Sequence, residues 1–174
     1  MKLQGRREIE EQAKSVLLQH GLYSVPVDPV VLANKLGIKV NNAVFSDEGI
    51  AGLTAKRDKE ILLLVNQNDP PYRKRFTIAH ELAHHFLHIF EGEQQDITHK
   101  KIDLFRLSET DMEGLSEEKI KEIEANRFAA SLLMPEELVR VFWRKYPSIE
   151  TMARLFNVSE EAMGYRVGNL GLDQ

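Results

Sequence analysis

Residues 80–84 read His-Glu-Leu-Ala-His, an HExxH pattern inside an apolar segment. On an α-helix, positions four apart lie one turn apart on the same face, so His80 and His84 can bind one cation together. Glu81 then projects beside the pair, where its carboxylate can hold a water molecule. Two imidazoles with an adjacent carboxylate are the arrangement that a zinc hydrolase needs. The pattern therefore predicts a metal-dependent hydrolase with Glu81 as its general base.

A long helix must carry this pattern. Residues 73–90 contain neither Gly nor Pro, and their apolar side chains recur at three- and four-residue spacings. These side chains are Phe76, Ala79, Ala83, Phe86, Leu87 and Phe90. We expect a largely buried helix, whose His and Glu groups must find partners that a metal supplies together. The alternative is a pair of hydrogen-bonded core histidines with a solvated Glu81.

The remaining histidines are weaker candidates as ligands. If His88 joined His84, one straight helix would have to offer three ligands over two turns. We therefore interpret His88 as structural or as a support for a ligand, and His85 as exposed. His20 and His99 have no companion in the sequence and receive no metal-binding role.

Catalytic zinc takes three protein ligands and leaves a fourth position to water, so another segment must supply the third ligand. Residues 117–134 predict a second long helix, capped by Ser116 and ended by Pro135. On its helical wheel Glu122 lies on the apolar stripe, whereas Glu124 falls where a solvated carboxylate is expected. We predict Glu122 as the third ligand and keep Glu124 as the alternative.

Small side chains favour a close approach of the two helices. Ala125 and Ala129 lie on the same stripe as Glu122, and Asn126 is placed to orient a neighbouring group. Cys is absent, so His, Asp and Glu are the available ligands. Two imidazoles and one carboxylate on rigid helices favour one Zn²⁺ per chain, although Mn²⁺ and Fe²⁺ accept the same ligand types.

Two segments together resemble the ImmA/IrrE family of zinc-dependent metallopeptidases: RFTIAHELAH at residues 75–84 and EIEANRFAASLLMP at residues 122–135. The resemblance covers most of residues 5–140. The family's HExxH maps onto residues 80–84, and its E-x-x-A-N element maps onto residues 122–126. One departure is an Ala in the HExxH where the family commonly has Gly, which exchanges one small residue for another.

The resemblance implies a gluzincin-like zinc endopeptidase that cleaves a helix-turn-helix transcriptional repressor, acting as an antirepressor or regulatory protease. Glu81 would take a proton from water and pass it to the leaving amine. Tyr72, His99 and Tyr165 are candidate donors to the oxyanion. The edge of a sheet lying over the HExxH helix can pair with an extended peptide. One alternative is a metal-binding module that sequesters a repressor without proteolysis, and another is a DNA-binding regulator.

Composition limits the classes of protein. A length of 174 residues with 43% hydrophobic content suits one main core, and the absence of Cys means that no disulfide supports it. A net charge of −4 argues against a general nucleic-acid binder. No apolar run is long enough to span a bilayer, so we expect a cytoplasmic protein without a membrane partner.

The expected fold is α+β, with a zincin-like, mostly helical domain at residues 1–140 and a helical extension at 141–174. A small antiparallel sheet should cover the HExxH helix. Further helices are predicted at 6–20, 29–35, 136–146, 149–156 and 160–170, and strands at 38–45, 50–54 and 60–65. Residues 92–114 are expected to form a loop, with or without a short helix, that is either a lid or disordered.

The predicted extension ends in a helical hairpin that resembles a helix-turn-helix, with Ser159 as a cap. Residues 148–174 contain two Arg against four acidic residues, a net charge of −2. Phosphate binding needs the opposite balance. We therefore expect the hairpin to pack on the domain or to dock a substrate, without direct contact to nucleic acid.

Overall fold

The computed structural model describes residues 4–57, 60–88, 94–100 and 116–173. Within these ranges the chain forms seven helices and one four-stranded sheet. The elements are α1 (Arg6–Gln19), α2 (Pro29–Lys35), β1 (Lys39–Ala43), β2 (Ile50–Arg57), β3 (Glu60–Asn66), α3 (Pro71–Leu87), β4 (Gln94–Lys100), α4 (Glu117–Leu133), α5 (Glu136–Lys145), α6 (Ile149–Phe156) and α7 (Glu160–Asn169). The predicted α+β class is confirmed.

The sheet has the strand order β1-β3-β2-β4. Strands β2 and β3 form the predicted hairpin, although β2 continues to Arg57 instead of ending at Thr54. Strand β1 pairs in parallel with β3, so the sheet is mixed and not purely antiparallel as expected. The physical reason is that the chain reverses direction between β1 and β2 and again between β2 and β3. Because β1 pairs with β3 and not with β2, its partner runs in the same direction.

Strand β4 corrects the prediction of a loop at residues 92–114. Its sequence QQDITHK offers one large apolar side chain, Ile97, and therefore no alternating pattern. Its backbone nevertheless pairs antiparallel with β2 from Gln94 to Lys100. The hydrogen bonds of the sheet satisfy the backbone whatever the side chains are. The rest of that segment, and the predicted lid with it, lies outside the described residues.

Helices α3 and α4 pack against each other, and both contribute alanines to the core. Ala79, Ala83, Ala125 and Ala129 are all fully buried. Such small side chains let two helix backbones come close, so polar groups on facing turns can meet. Helix α3 ends at Leu87, three residues before the predicted Phe90, which lies outside the described residues.

A glycine sets the contact between the sheet and α3. A Cβ at Gly52 of β2 would lie 2.8 Å from Thr77 Cγ2 on α3 and 2.9 Å from the Leu64 carbonyl oxygen. Both separations are too short for a real methyl group, so only glycine fits without a shift of the sheet or the helix. This contact lies one turn before the HExxH segment and places β2 directly over it.

The C-terminal helices follow the predicted hairpin. Helices α6 and α7 turn through Asn157, whose φ of 54° is left-handed, and Ser159 caps α7 through the Ala162 amide. Arg166 of α7 donates to the Met134 carbonyl oxygen at 2.9 Å and to both carboxylate oxygens of Glu10. These bonds fasten α7 to α1 and to the end of α4. The domain boundary after residue 140 remains a prediction.

Among the described residues, every helix is too short or too polar to cross a membrane.

Candidate metal centre

Three side chains from α3 and α4 converge beneath the sheet. The Nε2 atoms of His80 and His84 are 3.0 Å apart. Oε2 of Glu122 lies 3.3 Å from Nε2 of His80, and Oε1 lies 3.3 Å from Nε2 of His84. Within the described part of the chain, these three residues form the group of His and acidic side chains that could hold a metal ion. The structure thus brings together the two histidines of the HExxH segment and the carboxylate predicted from the wheel of α4.

Asn126 fixes the orientation of His80. Its Oδ1 lies 2.7 Å from His80 Nδ1, and an amide oxygen can only accept, so the proton resides on Nδ1. The lone pair of neutral His80 is then on Nε2, which faces Glu122 and His84. The position of Asn126, one turn after Glu122, meets the prediction that it orients a neighbouring group.

His84 is held by a second set of bonds on its other side. Its Nδ1 lies 3.0 Å from Nδ1 of His88, and Nε2 of His88 lies 3.0 Å from Oε2 of Glu124. Oε1 of Glu124 accepts from the backbone amide of Gln4 at 2.7 Å. His88 stands at the C-cap of α3 with extended backbone angles, so it is not a third ligand on a straight helix.

Two interpretations of single residues were wrong. Glu124 is fully buried, whereas the wheel predicted a solvated carboxylate. The wheel assumed that α4 has a solvent face, but α1 packs against it as well as α3, and its buried residues surround the axis. His85 is half-buried against Phe86 and not exposed, and burial lowers its pKa.

Glu81 is buried beside the histidines and is held by the sheet. Its Oε2 accepts from the hydroxyl of Thr54 on β2 at 2.6 Å. Burial raises the pKa of Glu81 to about 7, although His80 and Thr54 act to lower it. A carboxyl group with a pKa near neutrality can both take and return a proton at physiological pH.

The other members of the site also have shifted pKa values. Burial would lower the pKa of His80, but the hydrogen bond and charge of Glu122, together with Glu81, raise it. Burial lowers the pKa of His84, and the nearby His80 and His88 act in the same direction. Burial would raise the pKa of Glu122, but its bonds to the two imidazoles bring it well below the usual range.

The donor set fits a tetrahedral cation. Two imidazole nitrogens and one carboxylate face a common point, and their ligating atoms all lie within 4.8 Å of one another. Tetrahedral zinc with bonds of about 2.0–2.1 Å places two nitrogen ligands roughly 3.3 Å apart. The two Nε2 atoms are 3.0 Å apart, slightly closer than that value, and each is 3.3 Å from a carboxylate oxygen of Glu122. Three protein donors leave one tetrahedral position for water or substrate.

The candidate oxyanion donors lie in different places. Tyr72 stands in the first turn of α3, about 12 Å along the helix axis from His80. It lines a surface cleft with residues of α6 and α7. Tyr165 is on α7 and borders a different cleft, between α1 and α4. His99 is on β4, in register with Gly52, and its side chain is outside the described part.

Sequence reasoning missed Thr54 as a partner of Glu81. The available signal was a lone hydroxyl in a strand predicted to cover the HExxH helix. The contacts of His88 with His84 and Glu124 were not predicted either. The signal for the first contact was the four-residue spacing of His84 and His88, which is that of neighbours on one helical face. No sequence signal connects Gln4 to the site.

The sheet over α3 and the trio of side chains define a metallopeptidase-like α+β domain. The family model for the IrrE N-terminal-like domain, Peptidase_M78, matches residues 33–167. The chain belongs to this family, and the predicted resemblance is confirmed. The match runs through residue 140, where a domain boundary was predicted.

Among solved structures, one similar chain is a Mycobacterium tuberculosis transcriptional regulator, with a TM-score of 0.65 and 19% identity. The match covers 92% of this chain and 46% of the regulator, so the protein spans about half the length of that relative. At this identity the likeness shows the fold. No curated protein matches the chain.

Proposed function

We propose that the protein is a zinc-dependent endopeptidase that hydrolyses a peptide bond in a helix-turn-helix transcriptional repressor, as an antirepressor or regulatory protease. The observation that carries the proposal is the buried Glu81, bonded to Thr54 and placed beside the convergent His80, His84 and Glu122. Metal binding alone would not need Glu81. The proposal sets this activity in the cytoplasm, where a repressor is found.

The ligand assignment in this proposal is His80, His84 and Glu122. A metal bound there would act as a Lewis acid, polarising a carbonyl oxygen and making water easier to deprotonate. Zinc is preferred because the donors are two imidazoles and one carboxylate with tetrahedral spacing, and Mn²⁺ or Fe²⁺ suit the same donor types.

Each remaining group has its own task. Glu81 takes the proton of the attacking water and returns it to the leaving amine. Thr54 holds the carboxylate of Glu81 in place, and Asn126 directs Nε2 of His80 towards the ligand group. An extended segment of the substrate would pair with an edge strand of the sheet, of which β4 is the one next to β2 and its Thr54.

The test is cleavage of a helix-turn-helix repressor encoded beside the protein's gene. Wild-type protein loaded with zinc should produce two fragments, identified by mass spectrometry, and a chelator should prevent their formation. Glu81→Gln keeps the shape and the ligands but cannot take a proton, so it should bind the repressor and leave it intact.

Two results would contradict the proposal. Cleavage of the repressor by Glu81→Gln would show that Glu81 is not the general base. Binding of the repressor by wild type without cleavage would favour the alternative of a module that sequesters its partner. A DNA-binding regulator would instead show affinity for DNA that falls steeply with salt.

A further inference from the structure

A continuous relay of hydrogen bonds runs behind His84. It passes from Nδ1 of His84 to His88, then to Glu124, and ends at the backbone amide of Gln4. The relay lies between the end of α3, the middle of α4 and the segment before α1. The side chain of Glu124 is fully buried and that of His88 is 8% exposed, so little water competes with these bonds.

The proton positions in the relay follow from the chemistry of its ends. Gln4 N–H can only donate, so it occupies Oε1 of Glu124. A carboxylate oxygen accepts, so Nε2 of His88 carries a proton and donates to Oε2 of Glu124. In neutral His88 the other nitrogen, Nδ1, is then an acceptor. His84 can donate to it from Nδ1, which leaves the lone pair of His84 on Nε2.

We propose that His88 and Glu124 are positioning residues that hold His84 in the tautomer needed for metal binding, with the Gln4 amide fixing Glu124. The proposal rests on the metal site described above and extends it to a segment far away in sequence. It also explains why a carboxylate is buried two residues after Glu122 without joining the ligand group. Asn126 sets the tautomer of His80 by a direct hydrogen bond, whereas Glu124 acts on His84 through the imidazole of His88.

Glu124→Gln tests the relay because it preserves shape and reverses one hydrogen bond. The amide oxygen of Gln must accept from Gln4 N–H, which turns its NH₂ group towards Nε2 of His88. His88 must then accept at Nε2 and carry its proton on Nδ1. It would donate to His84, whose proton would move to Nε2 and block the ligand position.

The measurement is the affinity for Zn²⁺, determined by competition with a chromophoric chelator. Glu124→Gln should bind zinc about 10- to 100-fold more weakly than wild type, the range found for partners that orient a ligand. The matched control is Glu118→Gln, an exposed residue of the same helix, which should bind zinc like wild type. Melting of the metal-free variants would show that both are folded.

A second measurement needs no substitution. Long-range ¹H–¹⁵N spectra of zinc-loaded wild type should show protons on Nδ1 of His84 and on Nε2 of His88. A proton on Nδ1 of His88 would overturn the proposal, as would unchanged zinc affinity in Glu124→Gln. If wild type bound zinc and either of these results were found, the relay proposal would fail while the metal site would stand. Wild type that binds no zinc would overturn both.

Discussion

Thr54 Oγ1 donates a hydrogen bond to Oε2 of Glu81 across 2.6 Å, and both side chains are buried. Strand β2 thereby holds the carboxylate that the HExxH helix presents. Gly52 lets the same strand lie against Thr77 of the helix. The sheet therefore both covers the site and supplies a hydrogen bond to its carboxylate.

Thr54→Val should slow peptide cleavage while keeping the fold. Valine has a similar shape but no hydroxyl, and a hydrogen bond to a charged group contributes about 1.5–3 kcal/mol, so we expect a loss of about 10- to 100-fold in kcat/KM. Thr54 also lowers the pKa of Glu81, so the acid limb of the pH profile should move to higher pH. Thr54→Ser retains the hydroxyl and should remain close to wild type. If Val and Ser behaved alike, the bond would have no role in catalysis.

Glu81→Gln should change how the stability of the metal-free protein depends on pH. Burial raises the pKa of Glu81 from 4.5 to about 7 in the folded state. Between these values the folded protein holds a proton that the unfolded chain has released, so wild type loses stability as pH rises. Relative to wild type, Glu81→Gln should gain about 3 kcal/mol in free energy of unfolding from pH 4.5 to 7. Urea unfolding in the presence of a chelator measures the difference, and a gap between the two proteins that does not vary with pH would disagree.

Glu122→Ala should lose most of its zinc affinity. In the proposed site the carboxylate supplies one of three protein ligands, so its removal should weaken binding more than the roughly 10- to 100-fold loss caused by an orienting partner. Titration of zinc into metal-free protein measures this affinity. Glu118→Gln, one turn earlier on the exposed part of the helix, is the matched control. Equal zinc affinity in Glu122→Ala and wild type would show that Glu122 is not a metal ligand.

Gly52→Ala should destabilise the protein and disturb the site. The new methyl group would lie 2.8 Å from Thr77 Cγ2 and 2.9 Å from the Leu64 carbonyl oxygen. Overpacking of this kind costs about 1–3 kcal/mol in free energy of unfolding. Gly164→Ala is the control, because a Cβ there meets nothing within 4 Å and Ala favours a helix. Thermal melts of both variants make the comparison, and equal melting temperatures would show that β2 can move away without cost.

Much of the helical framework was predictable because its signals are local. Ser116 and Ser159 cap their helices through side-chain oxygens, as their positions in the sequence predicted. The spacing of His80 and His84 depends only on helix geometry, and Glu122 followed from the stripe on α4. In each case, neighbours within about one turn determine the result.

The remaining features depend on distant parts of the chain. Strand β4 has no apolar alternation and exists because β2 offers it a partner. Glu124 is buried because α1 covers the side of α4 that the wheel left open to solvent. Its bond to Gln4 joins residues 120 positions apart, and no periodic pattern reports such a contact.

Anomalous diffraction at the zinc edge, from crystals grown with zinc, tests the central claim most directly. We expect one peak per chain, about 2.0–2.2 Å from Nε2 of His80, Nε2 of His84 and an oxygen of Glu122. Glu124 should remain bonded to His88 and outside the coordination sphere. A peak at Glu124, or no peak between the two histidines, would contradict the assignment.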